Sequence, residues 1–402
     1  MSERKLRLGI AGLGKAFSLM IPTFSSHPLL AVVAGADPRA GARKKFAQDF
    51  FAKAYTTVEE LCNDASVEVV YVSTPHQCHV EHVRAAAAQG KHVLVEKPMA
   101  LTIGECRSMI DAARRADVHL IVGHSHSFDR PIQRAREIIA SGEVGPLRMI
   151  TAVNFTDFLY RPRRPEELIT EKGGGVIYNQ APHHVDIVRF LGGGKVRSVR
   201  ATAGAWDSQR PTEGAYSALL TFESGVSASL TYSGYAHFDT DEFCGWVAES
   251  GLAKDPKRYG ATRRNLSRAS GANSELDIKN AQTYGGAEYA GSSGAPATAE
   301  PRSHQQFGLV IASCERADLR PMPQGVMIYD DHSSRLDALP PPAVPKNEVI
   351  AELYDAVVKG APPVHNGEWG LATMEVCFAM LRSAREQKEI FLEHQISLPN
   401  RN

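Results

Sequence analysis

From Leu6 to Gly123, short β-branched runs alternate with helical patterns, and no other feature restricts the fold of this chain as much. The runs are Leu6 to Ala11, Leu29 to Ala36, Val67 to Val72, His92 to Val95 and His119 to Val122. Strands separated by helix-length segments specify a parallel sheet with crossover helices on its faces. Thr57 with Glu60 and Thr102 with Glu105 have capping-box spacing, so a helix is predicted to start at each. Beyond Gly123 longer strands follow one another: Leu147 to Phe155, Val196 to Ala203, Ala215 to Phe222 and Val226 to Tyr232, with a glycine turn at Ser224-Gly225. That pattern predicts a mainly antiparallel sheet. The chain is therefore read as α/β, with a parallel-sheet domain over 1–124 and a second domain over 125–402.

The 402 residues suffice for two cores. Residues 254–303, rich in Ser, Gly, Ala and Asn, are expected to form a long excursion or flexible loop without chemistry of its own. A strand at Phe307 to Ile311, a proline run at Leu339 to Pro345 and helices over Asn347 to Lys359 and Leu371 to Gln387 complete the chain. Lys plus Arg equals Asp plus Glu at 45 each, so no global field draws nucleic acid or an anionic membrane. The six cysteines are scattered without a Cys-x-x-Cys pair, which suits a reducing compartment and argues against structural zinc. With no apolar leader or membrane-length run, a soluble cytoplasmic protein is expected. His76, His79 and His82 have helical spacing, yet no carboxylate or cysteine completes a ligand set, and no metal is expected.

Gly9-Ile10-Ala11-Gly12-Leu13-Gly14 stands where the first strand turns into the first helix. Glycines in that context let the backbone approach a pyrophosphate at a helix N-terminus, the mark of a dinucleotide-binding Rossmann domain. Phe17 occupies the position of the third fingerprint glycine. Gly12, Gly14, Lys15, Ala16 and Phe17 are assigned to the cofactor. Asp37 ends the second strand, where a carboxylate accepts both adenosine ribose hydroxyls and repels a 2'-phosphate, favouring NAD; Arg39 softens that preference. Ser73, Thr74, Pro75 and His79 border the same crevice. Lys97, in Val95-Glu96-Lys97-Pro98, sits at a strand's carboxyl end, where ligands of open α/β sheets bind. A lysine shielded from water there is a candidate acid or base.

These residues, with Gly90 to Pro98 and Gly173-Gly174-Gly175 through Asp186, resemble the glucose-fructose oxidoreductase, inositol dehydrogenase and rhizopine catabolism family of NAD(P)-dependent dehydrogenases. The resemblance implies a Rossmann domain followed by a domain with a large open-faced sheet, through which members form dimers or tetramers. It makes Lys97 the catalytic lysine, Glu96 its cofactor-side neighbour and His183 the catalytic histidine. Asn179 falls where sugar and inositol dehydrogenases carry Asp, so it can orient a hydroxyl but cannot take its proton. The stretch Gly123 to Asp129 lacks the arginine many relatives carry before Phe-Asp.

Three arginines held between prolines, Arg161, Arg163 and Arg164, suit carboxylate recognition, since a guanidinium binds a carboxylate through two parallel hydrogen bonds. The runs Tyr160 to Leu168, Asn179 to His183, Gly204 to Asp207, Tyr232 to Asp239 and His365 to Gly370 resemble the bacterial phthalate 4,5-cis-dihydrodiol dehydrogenases. That resemblance implies a cyclic diol bearing carboxylates, with Trp206 and His237 as further pocket residues. A sugar or inositol dehydrogenase, a family offshoot cleaving glycosides with NAD, and a non-catalytic NAD-sensing regulator are the alternatives.

Overall fold

The computed structural model describes residues 4–269, 274–289 and 303–399. They divide into two compact units, one of residues 4–124, 276–289 and 343–371, the other of 125–269, 274–275, 303–342 and 372–399. The leading segment of the first unit ends at His124. Unlike a continuous 1–124 domain, however, the first unit recruits two later segments.

Six parallel strands build the first unit: β1 (Leu6–Ala11), β2 (Leu30–Ala36), β3 (Lys53–Tyr55), β4 (Val69–Val72), β5 (His92–Val95) and β6 (Leu120–Val122). Their order is β3-β2-β1-β4-β5-β6. The order reverses between β1 and β4, and the crevice outside the carboxyl ends there is where such sheets bind ligands. The central strands β1, β4 and β5 are apolar and buried apart from Arg7 and His92, as expected when both faces are covered, whereas the edge strand β3 is not buried. Helices α1 (Lys15–Ser26), α2 (Ala40–Phe50), α3 (Val58–Cys62), α4 (His79–Ala88) and α5 (Ile103–Arg115) form the crossovers. Thr57 and Thr102 cap α3 and α5 by accepting from the backbone N–H groups of Glu60 and Glu105, the starts their spacing predicts.

The second unit is a mixed sheet of nine strands: β7 (Leu147–Phe155), β8 (Val196–Gly204), β9 (Ala215–Phe222), β10 (Ser227–Ser233), β11 (Leu309–Cys314), β12 (Ala317–Met322), β13 (Gly325–Asp330), β14 (Ser334–Ala338) and β15 (Ile390–Phe391). Neighbours pair antiparallel except β7 with β10, which are parallel. The alternation Ala228, Leu230, Tyr232 buried against Ser229 exposed turns one face of β10 inward. Helices α6 (Arg130–Ser141), α7 (Gly175–Asn179) and α8 (Ala181–Gly192) belong to this unit. α8 packs on β7 and β10, α6 on β12 and β13. The short strands β3 and β12 to β14 escape the sequence reading, since Lys53–Tyr55 is too brief and Pro321 interrupts the β12 pattern.

The 254–303 stretch is not a patternless excursion. Its described residues hold α9 (Ala261–Ala269) and α10 (Glu275–Gln282), and Tyr284 beyond them is fully buried. The Tyr284 ring meets Phe17 edge-on at 5.1 Å, and its hydroxyl donates to Asp49 at 2.6 Å. Phe17 also packs on Phe46 and Phe50 of α2. One buried aromatic in a polar segment supplies the anchor that periodicity cannot reveal. α11 (Asn347–Lys359) joins the same unit: Thr23 of α1 donates to the Pro345 carbonyl at 2.7 Å, and His27 meets Asn347 at 3.2 Å. Among the described residues, no helix is long and apolar enough to cross a membrane.

Candidate active site

In the first unit the residues assigned to the cofactor follow the carboxyl ends of β1, β2, β4 and β5. Gly12 adopts φ +90°, and a Cβ there would stand 3.0 Å from the Ser73 backbone, so only glycine suits this turn. Gly14 precedes α1, and the space beside it is open, with nothing within 4 Å of where a Cβ would be. The turn is fixed by Ser73, whose hydroxyl donates to the carbonyl of Gly12 at 2.8 Å. Lys15 and Ala16 form the first turn of α1, whose N-terminal N–H groups favour an anion. Phe17, by contrast, turns its ring into the core, so only its backbone is available to a cofactor.

The Asp37 carboxylate is buried and fully engaged. Its oxygens accept from the Leu13 N–H at 2.9 Å and the Arg39 N–H at 2.9 Å, and each takes one guanidinium nitrogen of Arg39 at 3.0 Å. Arg39 also donates to the Leu13 carbonyl at 2.8 Å and the Tyr284 carbonyl at 3.3 Å. The pair thus presents a neutralised carboxylate at the adenosine end. These residues fit NAD: a glycine cradle for the pyrophosphate and an acid for the ribose.

His79 serves this site from behind. It is wholly buried, its Nε2 3.0 Å from the Thr74 carbonyl and its Nδ1 3.1 Å from that of Pro98, and burial lowers its pKa. The neutral ring can donate to one of these carbonyls at a time, and it packs between the Ser73-Thr74-Pro75 turn and the Lys97-Pro98 segment. Thr74 meets His82 at 2.9 Å, which gives that histidine a role in the turn. Glu96 is buried beneath Lys97 and accepts from Tyr71 at 2.5 Å; burial raises its pKa against the opposing pull of Lys97 and Tyr71.

In the second unit His183 and His184 lie in the first turn of α8. His184 is structural: it bonds the Tyr216 hydroxyl at 2.9 Å, and burial, with His126 nearby, drives its pKa down to about 3. His183 lies against His126, ring centroids 4.7 Å apart, and against Phe307 at 4.8 Å. Asn179 closes α7. Its amide nitrogen donates to the carbonyls of Gly173 at 3.1 Å and Gly175 at 2.7 Å, holding the glycine turn that leads into His183. Gly175 has φ +76°, and a Cβ there would collide with the Glu213 carboxylate at 2.1 Å.

The structure adds two groups to this site. His126 Nδ1 bonds Asp129 at 2.6 Å, and its Nε2 faces Glu249 at 3.4 Å. Burial opposes a charge on His126, but Asp129 and Glu249 outweigh it and hold the pKa up at about 9. Nitrogens of His126 and His183 and an oxygen of Glu249 lie within 4.8 Å of one another, an arrangement that could also hold a cation, although no metal is expected from the sequence. His126 sits in the Gly123 to Asp129 stretch that departs from the family pattern, which was its signal. Glu249 had none, because its position depends on how the loop after β10 folds back.

The arginine loop divides. Arg163 is buried, its guanidinium 3.7 Å above the Phe158 ring and bonded to the Phe158 carbonyl, and burial lowers its pKa to about 10. Its guanidinium is turned into the protein, bonded through one terminal nitrogen to the Phe158 carbonyl, while its Nε is buried without a hydrogen bond among the described residues. Arg164 contributes its backbone N–H to Glu167 at 2.6 Å. Arg161 is the most available, with 49% of its side chain exposed; burial of its head is outweighed by Glu249 and Asp157, which keep it charged. Trp206 and His237 line a separate cavity of about 630 Å³ with Phe155, Tyr160, Tyr235 and Arg263. Phe155 and Ser233 alternate in face with Tyr232, which stacks on Phe307.

Residues 6–124 match the model of an oxidoreductase family with an NAD-binding Rossmann fold, and 132–249 match the GFO/IDH/MocA C-terminal domain. The chain is 46% identical over 383 residues to the 1-carboxy-3-chloro-3,4-dihydroxycyclohexa-1,5-diene dehydrogenase of Comamonas testosteroni, covering 95% of this chain and 96% of that one. It is 35% identical over 178 residues to the trans-1,2-dihydrobenzene-1,2-diol dehydrogenase of Mus musculus, covering 43% of this chain and 52% of that one. A crystal structure from Bordetella bronchiseptica RB50, assigned as a dehydrogenase, superposes with a TM-score of 0.89 at 40% identity, covering 96% of this chain and all (100%) of that one. The WlbA dehydrogenase of Bordetella pertussis, solved with NADH and UDP-GlcNAcA, shares the fold with a TM-score of 0.67 at 19% identity, over 97% of this chain and 99% of that one. With family matches on both units and near full-length similarity to a dehydrogenase, this chain belongs to the GFO/IDH/MocA oxidoreductases and is an NAD-dependent dehydrogenase.

Proposed function

We propose that this enzyme oxidises a cyclic cis-dihydrodiol bearing carboxylates, with phthalate 4,5-cis-dihydrodiol as the reference substrate and 4,5-dihydroxyphthalate as product. The observation that carries the reading is near full-length similarity to a relative whose name specifies a carboxylated dihydroxycyclohexadiene. An available Arg161 beside the His183 cluster supports it, since a guanidinium there suits a substrate carboxylate. NAD, when bound, accepts the hydride released from the carbinol carbon. Lys97 and His183 are assigned the hydroxyl proton, and the resulting ketone enolises to an aromatic catechol, which draws the reaction forward. Asn179 shapes the turn before His183. Arg164 is kept as a weaker second carboxylate contact.

The test is NADH formation by the purified protein with the cis-dihydrodiol of phthalate, beside myo-inositol, glucose and NADP controls. Rapid NADH formation with the diol is expected. Turnover of polyols alone would replace this substrate with a sugar, and tight NAD binding without turnover of any of them would favour a regulator.

We further propose that the enzyme is a homodimer or homotetramer joined through the open face of the second unit's sheet. Met149 and Leu219 are 47% and 50% exposed on β7 and β9, and Tyr329 and Leu336 are exposed on β13 and β14. Covering such a row removes apolar surface from water. Light scattering on the eluted protein should give two or four times the 43.7 kDa chain mass; a monomer at micromolar concentration would rule the assembly out.

A further inference from the structure

Asn179 leaves the family's usual carboxylate position without an acid, yet the second unit brings another carboxylate to His183 from a different element. Glu249 lies in the loop after β10, and Gln306 anchors that loop by donating to the Val247 carbonyl at 2.8 Å and to Asp241 at 2.7 Å. Its carboxylate is 3.4 Å from His126 Nε2, and His126 is held at its other nitrogen by Asp129 at 2.6 Å. A Glu249 oxygen comes within 4.8 Å of a His183 ring nitrogen, the reach of a small side-chain adjustment or one bridging water. Phe307 stacks on His126 at 4.9 Å and touches His183, so one wall of the cluster is apolar and Coulomb interactions there are screened less than in water.

We propose that Glu249, clamped by the Asp129–His126 pair, is the positioning carboxylate of His183: it orients the ring and stabilises the imidazolium formed when His183 takes the substrate's hydroxyl proton. This rests on the proposed role of His183 as acceptor. The balance is simple. The hydroxyl proton goes to His183, the hydride goes from carbon to NAD, and Glu249 stays ionised throughout.

The surrounding charges agree with that assignment. Asp129 and Glu249 face the cations His126 and Arg161, with Asp157 beside Arg161, Tyr232 on β10 and neutral His184 on α8. Removing the Glu249 charge would leave His126 and Arg161 in excess, and a further proton on His183 would then be disfavoured. The same three side chains could instead bind a divalent cation. The 3.4 Å between His126 and Glu249 matches the edge of about 3.4 Å expected for a tetrahedron with zinc–nitrogen bonds of ordinary length, so metal analysis has to accompany the kinetics.

The test compares Glu249→Gln, Glu249→Asp and His126→Asn in the full chain. Glu249→Gln should lower kcat for the diol on the order of 10²-fold with KM little changed, Glu249→Asp should recover part of the loss, and the acidic limb of the pH–kcat profile should move to lower pH. A readout independent of substrate accompanies these: the His183 ring-carbon NMR titration, assigned with His183→Asn, should have its midpoint at lower pH in Glu249→Gln. An unmoved midpoint, wild-type kcat in Glu249→Gln, or stoichiometric zinc lost together in the Glu249 and His126 variants would each overturn the proposal. Failure of the diol to react, with the NMR shift present, would count against the substrate and leave the pairing standing.

Discussion

Replacing Lys97 by methionine is expected to lower kcat by about 10²- to 10⁴-fold, the range a positioned acid or base contributes, while NADH binding changes little. The expectation follows from the separation of tasks in the first unit. Gly12, Gly14 and Asp37, the residues assigned to pyrophosphate and ribose, stand at the ends of β1 and β2, whereas Lys97 follows β5 beyond the switch point. Methionine keeps most of the apolar stem and removes the ammonium, so the Pro98 and Met99 carbonyls held by His79 should stay in place. Steady-state kinetics with the diol, beside fluorescence titration of NADH, separates the two effects. If turnover survives, Lys97 has no part in the proton transfer, and the assignment rests on His183 alone.

A second large effect is expected where the chain departs from the dinucleotide fingerprint. Restoring the third glycine by Phe17→Gly should destabilise the protein by about 4 to 6 kcal/mol, combining the loss of a buried aromatic with the cost of glycine inside a helix. Such a loss is a large part of the stability of an ordinary domain. The fingerprint's third glycine normally allows close helix–strand packing. Here the Phe17 ring fills that space and is met by Phe46, Phe50 and Tyr284, so removing it opens a cavity bounded by three other rings. Denaturant unfolding followed by tryptophan emission measures the loss. An unchanged midpoint with tighter NADH binding would mean that the aromatic cluster contributes little and that the consensus glycine was the better residue.

The parallel sheet was legible because its strands are apolar on both faces and bounded by turns; β1 and β5 end where the pattern places them. β7 and β9 were equally plain. The turn after β1 was legible for a different reason. The positive φ of Gly12 and the place of Asp37 after a strand are matters of backbone geometry and position, both of which sequence order records. Roles that depend on burial were not. His79 reads as a crevice residue until its two nitrogens are seen between carbonyls, and Arg163 reads as a free cation until its guanidinium is found over Phe158. Trp206 and His237 meet at one cavity through the loops after β8 and β10, a proximity that no local pattern records. Glu249 is separated from its partners His126 and His183 by much of the second unit, and no local pattern joins residues so far apart.

The burial of Tyr284 bears on how cofactor halves could be exchanged among relatives. A chimera cut at His124 would carry Phe17, Asp49 and Arg39 without the partner that covers the first, binds the second and accepts from the third. The graft would be a sheet with an open seam along α1 and α2. The transferable module is therefore a non-contiguous one, residues up to His124 together with the 276–289 hook and Ala343–Leu371, and swaps that respect those three segments keep the nucleotide end closed.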